Sequence, residues 1–386
     1  MLKNFWICGM GTMLLFNALA ACGSPPNGNG QAEHPVQQAK PADPNAKRES
    51  SFGDRLNLRQ HREDTERFVM NRMHGPYGVY TNYADSGESD TDATGHEVLS
   101  ESSGLLMRYD ALTNRKDAFQ AEWERAKQVF ELPSGFSYRY SPKQDKKYSV
   151  NAAVDDLRII RALYEAGDRF HSAEYAGLAD DYGKRFYAFN VKDDKLYDFY
   201  DDAYKVTNDF VTLCYIDLAT LKRLPVPAKQ QSALVQNMAA ILQNGYLSDA
   251  FPFYETRYDY GTDTYRSEGI NTIESALTIL ALSEAGLERS ESIAYLKEHV
   301  KNGTLYGQYD RNGVPRNDIQ STAIYAITAM IGSVLGDEEL YENSIRQMEK
   351  YRVTDKASTL YGGFGDPAAK QAFSFDNLMA LLAYAH

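Results

Sequence analysis

The sequence predicts an all-α fold, an (α/α)6 barrel in which twelve helices form a toroid, and three observations carry that expectation. Apolar residues recur at helical spacing in segment after segment. The links between these segments alternate between short ones and long, aromatic-rich ones. Several segments combine small and large apolar residues, as in Ile273–Leu282, Ile324–Ile327 and Leu378–Ala385, which suits close packing in an inner ring. A helical solenoid is the alternative architecture with the same pattern.

In order along the chain, helices are expected over 62–73, 100–112, 116–131, 152–167, 171–187, 209–223, 227–244, 270–286, 290–300, 318–335, 338–350 and 371–385. Leu112-Thr113-Asn114-Arg115-Lys116 is typical of the short links. Phe251-Pro252-Phe253-Tyr254 and Leu360-Tyr361-Gly362-Gly363-Phe364-Gly365 belong to the long ones. A closed ring of helical hairpins needs short links at one end and long, decorated links at the other. The binding groove then belongs at the long-link end.

The first segment is an address. Met1–Asn4 carries one positive charge, Lys3, and Phe5–Phe16 is an apolar run too short to span a membrane as a mature helix. The run ends at Leu19-Ala20-Ala21-Cys22, which resembles the bacterial lipobox. That resemblance implies that Cys22 is diacylated and becomes the mature N-terminus, on the extracytoplasmic face of a bacterial membrane. The other reading is an ordinary signal-peptidase site that happens to precede a cysteine. A single lipidated terminus tethers a protein without making it span. Residues 23–51 are rich in Pro, Gly, Asn, Gln and Ala, with Pro25, Pro26, Pro35, Pro41 and Pro44, and read as a flexible spacer. The expected organisation is a signal over 1–21, a lipidated tether over 22–52 and one folded domain over 53–386.

Composition narrows the chemistry. Lys and Arg total 41 against 53 Asp and Glu, a net charge of −12, so a nucleic-acid partner is not expected. The 28 Tyr and 17 Phe suit a groove for a polar ligand with apolar faces, such as a sugar. With Cys8 lost in the signal and Cys22 lipidated, Cys214 is the single remaining thiol, which excludes an intramolecular disulfide and a Cys-rich metal site. Cys214 lies in the apolar run Val211–Ile216, where a buried small residue is expected. There is no HExxH, GxSxG or P-loop, and no cofactor or metal is expected. What the loops hold is carboxylates among aromatics, and two positioned carboxylates suffice for glycoside hydrolysis.

The sharpest motif is Leu99-Ser100-Glu101-Ser102-Ser103-Gly104-Leu105-Leu106-Met107. It resembles the SEGxGYGM signature of glycoside hydrolase family 8: Ser100, Glu101, Gly104 and Met107 match in register, while Ser102 and Leu106 replace two glycines. Gly78-Val79-Tyr80-Thr81-Asn82 is similar to the family's G-x-(V/I)-x-x-N, Phe119-Gln120-Ala121-Glu122-Trp123 to its F-x-x-L-W, and Phe136-Ser137-Tyr138-Arg139 to its L-x-W-R. Val154–Leu163 looks like a diverged D-G-D-x-D-I-A-x-A-L. The resemblance covers about residues 75–165, is nearest to lipoprotein members associated with exopolysaccharide systems, and implies the (α/α)6 barrel reached above.

By resemblance Glu101 is the general acid. Ser100 is a reasonable N-cap that places Glu101 in the first helical turn, where the helix dipole lowers a carboxyl pKa. Burial against aromatics and a nearby second carboxylate must outweigh it. Asp156 matches an acidic position of the third block, whereas Val154 stands where the Asp associated with holding the sugar is expected. Asp155 is the candidate replacement; helix capping is the alternative role for this pair. The family's base, an Asp just before the eighth helix, has no clean match. Asp259, between two tyrosines on a hairpin arm with its turn at Gly261–Asp263, and Glu268, immediately before the helix, are the candidates. Tyr138 and Arg139 on one wall, and Tyr254 and Tyr258 with Phe253, Tyr260 and Tyr265 on the other, are expected to bind substrate.

The expected activity is that of a membrane-anchored, inverting endo-glycosidase acting on an extracellular polysaccharide, neutral or bearing amino sugars, with exopolysaccharide synthesis or export machinery as a possible partner. A glycan-binding protein that has kept the barrel without turnover is the rival class. A polysaccharide lyase on the same toroid is the other; it needs positive groups to neutralise a uronate, which the net charge disfavours.

Overall fold

The computed structural model describes residues 51–87 and 92–386; the signal segment, Cys22 and all but the last two residues of the tether lie outside the described residues. After a single turn, α1 (Phe52–Arg55), come α2 (Arg59–Phe68), α3 (Ser100–Leu112), α4 (Lys116–Phe130), α5 (Ala153–Arg169), α6 (Ala173–Asn190) and α7 (Leu218–Leu221). The chain continues through α8 (Ala228–Asn244), α9 (Thr272–Ala285), α10 (Ser290–Asn302), α11 (Thr322–Leu335), α12 (Glu338–Met348) and α13 (Ser374–Ala385).

The odd-numbered helices from α3 onward form a closed inner ring. α3 packs on α5, α5 on α7, α7 on α9, α9 on α11, α11 on α13, and α13 returns to α3. The even-numbered helices lie outside, each packed against its inner neighbours, with α2 covering α13. Sequence explains the division. α11 is buried on every residue from Thr322 to Gly332 and α13 almost throughout, as apolar sequence on all sides requires. α4 and α12 alternate charged and apolar faces and bury one side. Gly286, Gly303 and Gly336 end α9, α10 and α11 in the left-handed conformation that permits a tight exit.

The expected asymmetry of the links is observed. At one end of the ring the links are as short as Gly336–Asp337 between α11 and α12. At the other end, residues 191–217 and 245–271 join α6 to α7 and α8 to α9. Every β-strand among the described residues lies in the long links. These links are stitched together into a rim. Val98 pairs with Tyr140, Val150 with Asp201, Phe210 with Asp259, Ile270 with Tyr309, and Asn82 with Phe373. The Tyr351 hydroxyl, 3.3 Å from Gln320 Oε1, joins the last two loops. The N-termini of α3, α5, α9, α11 and α13 open into this rim, which is the mouth, whereas the short α7 starts deeper, its N-cap Asp217 pairing with Arg161. The other end is closed, and there Phe52 N donates to His386 O at 2.9 Å, so the described domain begins at the face opposite the mouth.

One expected helix is largely absent. Residues 209–223 form a strand (Phe210–Thr212), a 3-10 turn (Leu213–Tyr215) and the four-residue α7. Thr212 donates its N–H and hydroxyl to the two Asp198 oxygens, both at 2.6 Å, and residues 210–212 pair with 257–259, so the backbone donors that a helix needs are committed elsewhere. The Asp217 carboxylate then starts α7 by accepting from Thr220 N, and Pro225 and Pro227 follow.

The inner and outer layers meet closely at Gly332 of α11. A Cβ there would lie 2.7 Å from Tyr341 N and 3.0 Å from Asp337 O, both backbone atoms of the α12 hairpin. Gly332→Ala is therefore expected to cost about 1–3 kcal/mol. It should appear as a lower denaturant midpoint with an unchanged slope. An unchanged midpoint would mean that the two helices can separate freely.

Candidate active site

α3 enters the ring directly from a strand. Val98–Leu99 pairs with residues 139–140, and Leu99, not Ser100, is the N-cap residue, without a side-chain cap bond. Ser100 lies inside the helix, and its hydroxyl is free to donate to Asp155 Oδ2 across the α3–α5 seam at 3.4 Å. Glu101 follows in the first turn, buried. The Arg158 guanidinium of α5 is also buried, and one nitrogen, Nη1, donates to both Glu101 Oε2 and Asp155 Oδ1 at 3.0 Å. Burial raises the Glu101 carboxyl above its ordinary pKa, against the opposing pull of Arg158. Burial also raises Asp155, to about 7, with Arg158 and Ser100 opposing and the neighbouring Glu101 carboxyl adding to the rise.

Three further carboxylates stand at the mouth on other inner elements. Asp198, which receives the two Thr212 donors, is pushed to about 7 by burial. Glu274, in the first turn of α9, is pushed to about 7 by burial, with only a hydrogen bond from Thr256 opposing. Asp376, in the first turn of α13, accepts from Ala323 N at 2.8 Å and is pushed to about 6 by burial. Tyr215, on the 3-10 turn before α7, is within electrostatic reach of both Asp198 and Asp155. In a ring of six, α3 and α9 occupy opposite positions, so Glu101 and Glu274 face one another in ring order, each in a first turn at the same end.

Several residues expected to touch substrate are occupied otherwise. Arg139 is fully buried and holds Glu97 through two bonds, Nε to Oε1 at 2.7 Å and Nη2 to Oε2 at 2.8 Å, beneath the rim. Asp156 is a loop clamp: Oδ1 accepts from Phe136 N at 3.0 Å and Oδ2 from Asn151 Nδ2 at 2.8 Å, and a Cβ at Gly135 would strike it at 2.0 Å. Tyr254 is 2% exposed, its ring against Tyr246, and offers no open face to a sugar. Tyr138 is half-buried beside Tyr148, and Tyr258 is half-buried between Tyr260 and Tyr265 with its hydroxyl on Asp263. These two keep accessible ring surface.

The two expected bases lie on the hairpin side. Asp259 Oδ1 caps its own turn, accepting from Gly261 N, Thr262 N and Thr262 Oγ1 at 3.0 Å, and Oδ2 pairs with Arg266 at 3.2 Å. Burial works against the anion there, but those donors win and hold the carboxyl below its usual range. A carboxylate so fully engaged by its own turn is poorly placed to take a proton from water. Glu268 is exposed and forms no ion pair among the described residues. Glu274 was concealed in the sequence because Asn271-Thr272-Ile273-Glu274 reads as a helix-start pattern, and Asn271 does cap α9 by accepting from Ile273 N and Glu274 N. Cys214 is buried, and among the described residues no group of three or more His, Cys, Asp or Glu side chains is arranged to hold a metal. No helix among them is long and apolar enough to cross a membrane.

No family model matches the chain. A solved structure described as a novel alpha-amylase from Clostridium perfringens is 33% identical, spans 84% of this chain and 97% of its own, and superposes with a TM-score of 0.78. YdaJ of Bacillus subtilis (strain 168), a candidate lipoprotein by its name, is 29% identical over 342 residues, 85% of this chain and 90% of its own. At the level of fold alone, endoglucanase Cel10 from Klebsiella pneumoniae, a family 8 glycosyl hydrolase, spans 75% of this chain and all of its own at 16% identity with a TM-score of 0.55.

The Arg139 assignment is directly testable. Removing one partner of a buried ion pair leaves the other charge uncompensated, so Arg139→Met is expected to cost about 3–5 kcal/mol of stability. A variant of unaltered stability but weakened sugar binding would return Arg139 to the groove.

Proposed function

Because the chain belongs to the family 8-like glycoside hydrolases, we propose that it is a lipid-anchored, extracytoplasmic endo-glycosidase that cleaves a polysaccharide with inversion. The observation that carries this is the placing of Glu101 and Glu274 in the first turns of opposite inner helices, one carboxyl raised beside Arg158 and the other raised to about 7 without a cation to hold it.

In this reading Glu101 gives its proton to the glycosidic oxygen as the bond to the anomeric carbon breaks. Glu274 takes a proton from a water that attacks that carbon from the opposite face. Such a pair has carboxyl groups about 6.5–9.5 Å apart, leaving room for the water. Glu274 replaces Asp259 and Glu268 as the base because it belongs to the eighth helix of the twelve and its carboxyl is not spent on a turn. Tyr138 and Tyr258 supply ring faces for sugars. The Clostridium perfringens relative makes an α-glucan the first polymer to try, before neutral bacterial exopolysaccharides. Lipid attachment at Cys22 is supported by the lipobox-like run and by the YdaJ relative. The described domain begins at the closed end, opposite the mouth.

Glu101→Gln and Glu274→Gln are each expected to lower kcat by about 100- to 10,000-fold, measured as reducing ends released from soluble starch or a purified exopolysaccharide. Binding of the polymer without turnover in the unsubstituted protein would favour a glycan-binding role instead.

The pH profile gives a separate check. A base acts when ionised, so kcat should fall as pH drops through about 7, the value to which burial raises Glu274. An acid acts when protonated, so the limb in which kcat falls as pH rises belongs to Glu101. An acidic limb near an ordinary carboxyl value, about 4, would remove Glu274 from the role.

A further inference from the structure

Arg158 stands where the family-like block Val154–Leu163 has its third acidic residue, so a cation replaces an anion at a position one turn from Asp155. The packing is built to admit it. A Cβ at Gly104 of α3 would lie 3.0 Å from Arg158 Cβ and 3.4 Å from Ile159 N, so the glycine three residues after Glu101 lets α5 approach closely enough for the guanidinium to enter between the two carboxyls. Arg158 Nη1 then serves both of them at 3.0 Å.

The groups that face this cluster come from three directions. α3 contributes Glu101 and the Ser100 hydroxyl, α5 contributes Asp155, and the 3-10 turn before α7 contributes Cys214 and Tyr215, with Asp198 beyond Tyr215. On its far side α3 meets α13 through the Ser102–Ser374 hydroxyl pair at 3.1 Å, which is uncharged. Arg158 is therefore the single cation shared by two buried carboxyls, and one charge neutralises one anion. The two carboxyls are not equivalent. Asp155 has Ser100 as a second donor at 3.4 Å, whereas the Glu101 carboxyl has Arg158 as its hydrogen-bond partner. The anion is better held on Asp155, and the proton stays on Glu101.

From this we infer that Arg158 is a positioning residue, which holds Asp155 as the anion, and that the Asp155 charge in turn keeps the proton of the buried pair on Glu101. The inference rests on the reading of Glu101 as the acid, and it makes the two carboxyls and the arginine one unit with opposed consequences on deletion. Without Arg158 the pair loses its only cation, and both carboxyls hold protons to higher pH. Without Asp155 the arginine is matched to Glu101 alone, the neighbouring negative charge is gone, and Glu101 loses its proton at lower pH.

The experiment is a titration of the Glu101 carboxyl by ¹³C NMR in full-length protein labelled at glutamate carboxyls, with Glu101→Gln to assign the signal, beside the pH dependence of kcat on soluble starch. Arg158→Met should move the Glu101 titration and the alkaline limb up by about 1–3 pH units, and Asp155→Asn should move both down by a similar amount. Arg158→Lys, which keeps the charge, should leave the titration within about half a unit of wild type while lowering kcat through the lost planar geometry. If Arg158→Met does not fold, the downward shift in Asp155→Asn and the near-constancy of Arg158→Lys decide the matter. Shifts in the same direction for Arg158→Met and Asp155→Asn, or no shift in Asp155→Asn, overturn the inference. Retained turnover in Glu101→Gln would instead overturn the acid assignment, and the NMR titration would still report on Arg158.

Discussion

The return of α13 onto α3 is the constraint on which the rest of the molecule depends. It joins residues far apart in the chain: Ser102 to Ser374 through their hydroxyls at 3.1 Å, and Ser374 N to Thr81 O at 3.0 Å. Closing the ring with alternating inner and outer helices makes every inner helix run the same way. The N-termini of α3, α5, α9, α11 and α13 then converge on one mouth, and each brings the partial positive charge of its first N–H groups. An open solenoid with the same helices would spread those ends along a ridge. Closure concentrates them and also excludes water, so Glu101, Asp155, Glu274 and Asp376 occupy first turns that attract anions in surroundings that resist them. Burial raises the carboxyl pKa at all four.

Most of the helical ring was legible because burial leaves a period in the sequence. α3, α4, α8 and α9 lie within two residues of where apolar spacing puts them. The failure at 209–223 has a nonlocal cause: the apolar run Val211–Ile216 carries no sign that Asp198 and the 257–259 strand will take its backbone donors. Ser100 failed as a cap for a related reason, since strand pairing with 139–140 sets the entry to α3 before a cap is needed.

The site was legible only where its chemistry is local. Glu101 sits in a contiguous motif and could be found. Arg139 was misassigned because its partner, Glu97, is 42 residues away, and an arginine among aromatics looks the same in sequence whether it lines a groove or braces its wall. Asp259 looked like a base because its role as a turn cap depends on a hairpin folding back on itself. Glu274 and Arg158 looked like an ordinary first-turn acid and an ordinary helical charge. Both take their significance from what the ring sets beside or opposite them.

The two ends of the ring treat buried carboxylates differently, and the difference separates structure from chemistry. At the closed end Glu165 and Asp217 are partly buried, and desolvation pushes them up. Arg108 and Arg161 reverse this at Glu165, and Arg161 with the two Thr220 donors reverses it at Asp217, leaving both below the ordinary range, with Arg161 also holding Glu284. Each anion there is matched, and that end ties α5, α7 and α9 together. At the mouth Glu101 and Asp155 share one cation, and Glu274 and Asp376 rely on neutral donors. Asp155, Glu274 and Asp376, raised to about 6 to 7 in the folded state, hold protons that an unfolded chain has already released, so their contribution to stability declines as pH rises from about 4 through those values. Matched carboxyls at the closed end act in the opposite sense, contributing stability above their unfolded pKa. The ionised state of Glu274 that the chemistry needs is thus reached as the mouth becomes less stable, while the ion pairs at the closed end keep the ring shut around it.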